Sequence, residues 1–397
     1  MLSEEFESER QRRLRAARRV VVKLGTGIVT GEGGWVSAER IEPLVRSIAR
    51  LKGAGRQLVL VSSGAVGLGA GRLDLHSSRL RDVVTRQACA AVGQNLLMHA
   101  YERLFGAHEV KIAQVLLTED DFTNWRRYTN LRLTIEKLLK LNVLPVINEN
   151  DTVSTAELEY LDGKRERAFS DNDRLAALVA SKLDSDALIL LTNVDGLLRR
   201  ESKGAGRSLK DKETVISLVE EITPELKALA SGPSAGGRGG MLTKLDAAQI
   251  VMRAGGLTVI ANGAQPDILE RIFAGERVGT TFMSALRMPG KRRWIAYAAG
   301  TRGRLIVNAG ARAAIMSGKA SLLSSGVVRV EKQFEPQDVV SIADCDGQEF
   351  ARGIVNCAST EVRAEMESAM AEAANRQVKL RARVLVTRNN IVLLEQR

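Results

Sequence analysis

The chain has 397 residues, 45% of them hydrophobic and 26% charged, with a formal net charge of +11. That length suits two or three domains with a substantial core, and the balance excludes wholesale disorder. Three cysteines without paired spacing and only three histidines argue against a disulfide frame, a zinc ribbon or a His-ligated metal site. No apolar run reaches the roughly 18 residues of a membrane span and no signal-peptide pattern opens the chain, so the cytoplasm is the expected location.

Residues 1–18 read as an appended, charged arm with helical character. Six arginines crowd Arg10–Arg19, and the favoured reading is a frayed, solvated tail rather than an anion or partner contact. From Arg19 short β-branched runs alternate with helical stretches. Strands are expected at Val20–Leu24, Leu58–Val61, Val110–Leu117, Val143–Ile147, Ala187–Leu191 and Thr258–Ala261. Helices are expected at Ser37–Leu51, with Ser37 as N-cap, at Leu80–Phe105 and at roughly Asn130–Leu141. Met241, Leu245, Ala248 and Met252 fall on one helical face and read as core. Near-continuous apolar strands alternating with helices imply a parallel sheet covered on both faces. Glu201–Lys212 reads as a surface loop, and Ser231–Gly240 as a phosphate-cradling loop rather than a linker. After a linker-like break at 284–293, short strands at Leu305–Val307, Val327–Val330, Asp338–Ile342 and Ala351–Val355, with one helix at Ala311–Ser317, suggest a small β-barrel-like module over 294–375. Residues 376–397 read as a tail.

The polar turns carry the chemistry. Lys23 precedes Gly25-Thr26-Gly27, and Lys244 closes Gly239-Gly240-Met241-Leu242-Thr243-Lys244. Between them come Ser62-Ser63-Gly64-Ala65, Asn148-Glu149-Asn150-Asp151 and Ser170-Asp171-Asn172-Asp173, each after an apolar run. In open α/β sheets ligands bind at the carboxyl ends of strands, where these turns fall. No P-loop sequence and no nucleophile elbow is present. Two lysines converging from separate elements are the alternative for phosphoryl transfer, which needs positioning and charge neutralisation more than covalent chemistry. A carboxylate between them would fix their geometry, and Asp173 is the candidate. Taken singly, Lys23 reads as a solvated lysine, Ser63-Gly64 as a tight turn, and Asp151 and Asp173 as helix N-caps. Their order along the chain is what favours a site.

That ordered set, with Leu191-Thr192 added, resembles the amino acid kinase family over roughly Arg19–Met283, and within it the branch that phosphorylates L-glutamate. The C-terminal module resembles a PUA domain through Gly310-Ala311, Ser321-Leu322-Leu323, Gly326-Val327 and Gly347. The resemblance implies a three-layer αβα sandwich around a mainly parallel sheet over 19–283, followed by the small PUA domain. It implies transfer of the γ-phosphoryl of ATP, with Mg²⁺ carried by the nucleotide, to the side-chain carboxylate of L-glutamate, the first step of proline biosynthesis. Lys23, Asp173 and Lys244 would then be catalytic, with Lys23 on the transferring phosphoryl. Ser63, Asp151 and Asn172 would hold glutamate: Asp151 pairs with its ammonium, while Ser63 and Asn172 donate to a carboxylate. Lys23, Thr192 and Asn193, and Arg238, Gly239, Gly240, Met241, Leu242, Thr243 and Lys244, would line the ATP site. No metal is expected on protein ligands alone. Homo-oligomers (dimers or tetramers) and a glutamyl phosphate reductase partner are further implications.

The chain departs from the family pattern at Asn193, usually Asp, at Arg238, usually a small residue, and at Ser170, usually Gly. Two alternatives stay open. One is a kinase of this fold for N-acetylglutamate, aspartate or UMP. The other is RNA binding or regulation through the C-terminal module, which the 4% aromatic content disfavours.

Overall fold

Strands buried on both faces must be largely apolar, and the central ones of this chain are, with polar residues mostly at their ends. We describe a computed structural model covering residues 2–31, 35–75, 80, 82–118, 120–123, 125–153, 172–200, 213–230, 240–283, 295, 301–318, 320–375 and 383–394. The expected excursion 201–212, the loop 231–239 and the linker 284–293 lie outside those residues. The chain divides into two compact units, Met1–Glu119 with Arg132–Arg287, and Asp120–Leu131 with Met288–Arg397.

The first unit carries α1 (Leu2–Ala16), β1 (Arg19–Leu24), α2 (Thr26–Val29), α3 (Ala38–Gly53), β2 (Gln57–Ser62), α4 (Ala65–Arg72), α5 (Val83–Gly106) and β3 (Ile112–Leu117). After α6 (Asp120–Thr123) and α7 (Trp125–Lys140) come β4 (Leu144–Glu149), α8 (Asn172–Lys182), β5 (Ala187–Thr192), β6 (Leu198–Arg200), β7 (Glu213–Val215), β8 (Leu218–Val219), α9 (Pro224–Leu229), α10 (Met241–Arg253), β9 (Leu257–Asn262), α11 (Ile268–Ala274) and β10 (Thr280–Met283). Eight strands form one sheet in the order β3-β4-β2-β1-β5-β9-β10-β8. The pairs from β3 to β9 are parallel, and β10 runs antiparallel to β9. Each of the central strands β1, β2, β4, β5 and β9 has five buried residues of six. The register sets Leu24 beside Ser62 and Leu191, and Thr192 beside Asn262, so the polar turns cluster along one edge.

Two features correct the sequence reading here. The amino-terminal arm is not a solvated tail. Leu14 of α1 is fully buried and Arg10 is 2% exposed. Arg10 donates to the carbonyls of Gly275 and Glu276, Arg15 to that of Ala274, and Arg13 to that of Gly255. Those carbonyls belong to the last turns of α10 and α11 or the residues just past them. A helix C-terminus carries unpaired C=O groups and partial negative charge, so a row of guanidinium groups satisfies both. Helix α5 begins at Val83, not Leu80, because Asp82 caps it by accepting from the Thr85 N–H.

Helices α4 and α5 pack at backbone distance. A Cβ on Gly69 would lie 1.8 Å from the carbonyl oxygen of Cys89, and one on Gly93 would lie 1.8 Å from that of Ala65. Nothing larger than glycine fits at either position.

The second unit holds a five-stranded sheet. Its elements are β11 (Gly303–Val307), α12 (Ala309–Met316), β12 (Leu322–Leu323), β13 (Val327–Glu331), β14 (Val339–Ala343), β15 (Glu349–Ile354), α13 (Ser359–Asn375), β16 (Val384–Val386) and β17 (Ile391–Leu393). The sheet order is β13-β11-β14-β15-β17, and β12 pairs β16. Residues 384–386 and 391–393, read from sequence as tail, are therefore strands. Leu385 and Val386 are fully buried in this unit's core. Within this unit Tyr128 packs with Ile295, Val339, Ile354 and Val392.

Candidate active site

Lys23 is the fifth residue of a buried strand, so its side chain is 6% exposed. Its Nζ meets Asp173 Oδ1 at 2.7 Å. Lys244, in the first turn of α10, brings its Nζ to 3.0 Å from Asp173 Oδ2. Thr243 Oγ1 lies 3.1 Å from that oxygen and 2.8 Å from the Gly240 carbonyl. Asp173 is thus no helix cap. It is the second residue of α8, wholly buried, and its carboxylate is shared between two ammonium groups. Burial pushes its carboxyl up, but the Lys23 and Lys244 charges and hydrogen bonds outweigh that and hold it at about 2. Among the described residues two ammonium groups face one carboxylate, an environment that favours an anion.

Asn172 lies one residue earlier in the same helix and opens a second cluster. Its Nδ2 is within hydrogen-bonding distance of Ser63 Oγ (2.8 Å), Asn148 Oδ1 (3.0 Å) and the Ser62 carbonyl (3.1 Å). All three are acceptors, so the donor side of this amide is committed. Its Oδ1 is buried and has no hydrogen-bond partner among the described residues. Sequence reading expects Asn172 to donate to a substrate carboxylate; in this arrangement the atom it has left to offer is its acceptor oxygen. Ser63, accepting from Asn172, keeps its own O–H to donate. Ser63 is placed by Gly64, whose φ of +107° starts α4 in a left-handed conformation that glycine tolerates.

Asp151 sits half-buried in the turn after β4, and burial pushes its carboxyl up to about 6. An anionic side chain in that setting is poised to gain from a cation. Thr192 ends β5 beside the Lys23 strand and Asn193 follows it; Thr192 Oγ1 is 3.3 Å from Asn193 Oδ1, and Asn193 is exposed. Gly240 caps α10 without any side-chain bond, and the backbone N–H groups of a helix's first turn have no partner within the helix itself, a setting that suits an anion. Arg238, Gly239, Ser170 and Asp171 lie outside the described residues. Sequence reasoning assigned no role to Asn148, which joins Asn172 to Gln94, or to Tyr101, whose hydroxyl is 2.7 Å from Ser62 Oγ. Among the described residues no cluster of three or more His, Cys, Asp or Glu side chains could hold a metal. None of the described helices is long and apolar enough to cross a membrane.

A carboxylate holding two lysines at the carboxyl edge of a parallel sheet, beside a helix N-terminus, is an arrangement that suits phosphate groups without a P-loop. The chain belongs to the amino acid kinase family, whose model matches residues 18–262, and a PUA domain model matches residues 303–376. It is 43% identical over 346 residues to a glutamate 5-kinase of Caldanaerobacter subterraneus subsp. tengcongensis, covering 87% of this chain and 89% of that protein. It is 46% identical over 353 residues to one from Myxococcus xanthus, covering 88% and 89%. A third, from Cupriavidus metallidurans, is 39% identical over 383 residues, covering 95% and 98%.

Proposed function

We propose that this enzyme transfers the γ-phosphoryl group of ATP to the side-chain carboxylate of L-glutamate, forming L-glutamyl 5-phosphate as the first step of proline biosynthesis. The observation that carries the reading is the adjacency, on consecutive residues of α8, of the Asp173 clamp on Lys23 and Lys244 and the Asn172–Ser63 cluster. One end of that pair suits transferring phosphates and the other suits a small polar acceptor.

Lys23 neutralises charge on the transferring phosphoryl, and Lys244 with the α10 N-terminus binds the nucleotide phosphates. Asp173 aims both ammonium groups. Ser63 donates to a glutamate carboxylate, while Asp151 and the free oxygen of Asn172 take the ammonium. Thr192, Asn193 and the segment Arg238–Lys244 line the nucleotide side. The attacking oxygen belongs to a carboxylate already ionised at neutral pH, so no general base is required. Both oxygens of Asp173 face lysines, which fits a Mg²⁺ carried on nucleotide phosphates and water rather than on this side chain. Such an ion would supply further neutralisation of phosphate charge. The product is an acyl phosphate that water cleaves, which motivates a glutamyl phosphate reductase as its consumer; the working form is a homo-oligomer.

The test is ATP turnover with Mg²⁺ and L-glutamate, trapping product as the hydroxamate, beside N-acetylglutamate, aspartate and UMP. Glutamate-dependent hydroxamate is expected, falling about 10²–10³-fold in Lys244→Ala. A folded wild type inert toward glutamate, or an undiminished Lys244→Ala, would overturn the proposal.

A further inference from the structure

We infer that Gln94 is a positioning residue that makes the substrate site read an ammonium group, an inference resting on the glutamate assignment above. The route runs through three side-chain amides. Asn148 Nδ2 donates to Gln94 Oε1 at 2.8 Å. Asn148 Oδ1 accepts from the Glu149 N–H at 2.9 Å and from Asn172 Nδ2 at 3.0 Å. The Glu149 N–H and the Ser62 carbonyl can each act in one sense only, so they polarise the chain at both ends. Asn148 and Asn172, between those two groups, have oxygen and nitrogen assigned by their partners, and Gln94 adds the acceptor on Asn148 Nδ2. The atom of these two amides left without a partner is Asn172 Oδ1.

That atom is buried and unpaired among the described residues. A buried acceptor left unpaired costs about 1–3 kcal/mol, so it is a position reserved for a donor. An ammonium group donates and cannot accept; a carboxylate accepts and cannot donate. The orientation of Asn172 therefore selects amine over acid at this point of the site.

Gln94 reaches Asn148 because Gly93, its neighbour, lets α5 lie against the backbone of α4. Without the Gln94 oxygen the Asn148 Nδ2 has no described acceptor, and one of the supports holding Asn148 and Asn172 in this sense is gone. Gln94 touches no reacting atom in this scheme; it acts through Asn148.

The test compares L-glutamate with glutarate, the same diacid without the amino group, in the full-length enzyme. In the wild type glutamate should be strongly preferred in kcat/KM. Gln94→Leu removes the acceptor, and the glutamate-to-glutarate preference should fall about tenfold, chiefly through KM for glutamate, with KM for ATP unchanged. Gln94→Glu keeps an acceptor oxygen and should restore the preference. Gln94→Met serves should the leucine variant fail to fold. A preference unchanged in Gln94→Leu and Gln94→Met, or lost equally in Gln94→Glu, would overturn the inference while leaving glutamate turnover intact. A wild type that yields no glutamyl hydroxamate would instead overturn the function itself, and this inference with it.

Discussion

Asp173→Asn is the most demanding perturbation the site allows, because it keeps shape and removes one charge from a buried triad. In the wild type the carboxylate faces ammonium groups at 2.7 and 3.0 Å, with all three side chains 7% exposed or less. At an effective dielectric near 20 each contact is worth roughly 6 kcal/mol before desolvation, and the two ammonium groups left without a carboxylate between them repel. Rotation of the lysines toward water relieves part of this, and breaking a buried ion pair from one side typically costs about 3–5 kcal/mol. For a unit of this size that is a fall in Tm of about 6–20 °C. With both lysines misaimed, kcat should fall about 10²–10³-fold. ATP should raise the melting temperature of the variant more than that of the wild type, since its phosphates supply the missing negative charge. The wild type carries a complementary acid signature. Asp173 has a lowered folded pKa, so its contribution is full above the unfolded carboxyl range near 4 and is lost as pH falls toward about 2. Scanning calorimetry with and without ATP, beside hydroxamate kinetics, makes the measurement. A variant that melts with the wild type and keeps its kcat would refute the clamp.

Two further outcomes follow from side chains at the edges of this argument. Asp151 titrates at about 6, so kcat/KM for glutamate should drop about tenfold per unit as pH falls below that value, a limb that Asp151→Asn abolishes while raising KM at pH 8. Because burial disfavours the charged form, the same substitution should stabilise the free enzyme at pH 7 by on the order of 1 kcal/mol, seen in denaturant melts; a destabilised variant would contradict this. Arg10→Ala removes donors to the Gly275 and Glu276 carbonyls and one of the partners of Glu7, which should cost about 2–3 kcal/mol and lower Tm by about 4–12 °C without changing KM for either substrate. An unchanged melt would return the arm to the status of a solvated tail.

Sequence periodicity located the central strands within a residue or two, because a strand covered on both faces announces itself as an apolar run. The Lys23, Asp173 and Lys244 constellation was legible for a related reason: functional turns at strand ends keep polar and glycine residues together in the chain. What stayed hidden depends on which elements touch. Gln94 and Tyr101 lie inside a helix of small residues, and only the Gly69 and Gly93 crossing shows that they face Asn148 and Ser62. Tyr128 likewise joins the second unit's core from far away in sequence. Which end of the Asn172 amide is left without a partner is not legible in the sequence, because an amide's donor and acceptor ends look alike until their partners are known. Helix α13 and the strands β16 and β17 were missed for another cause. The Ala- and Glu-rich run Ser359–Asn375 has ample helix propensity but sits in a module whose other segments read as short strands, and β16 and β17 are only three residues each.

The docking of α1 has a consequence for how the protein is made. Arg10 and the Gly275 carbonyl it grips are 265 residues apart in the chain. At about 5–20 residues per second, roughly 13–50 s separate the synthesis of the two. Helix α1 thus has to wait for its seat until α11 has been made, and for that interval its arginines and Leu14 lack the partners they have in the fold.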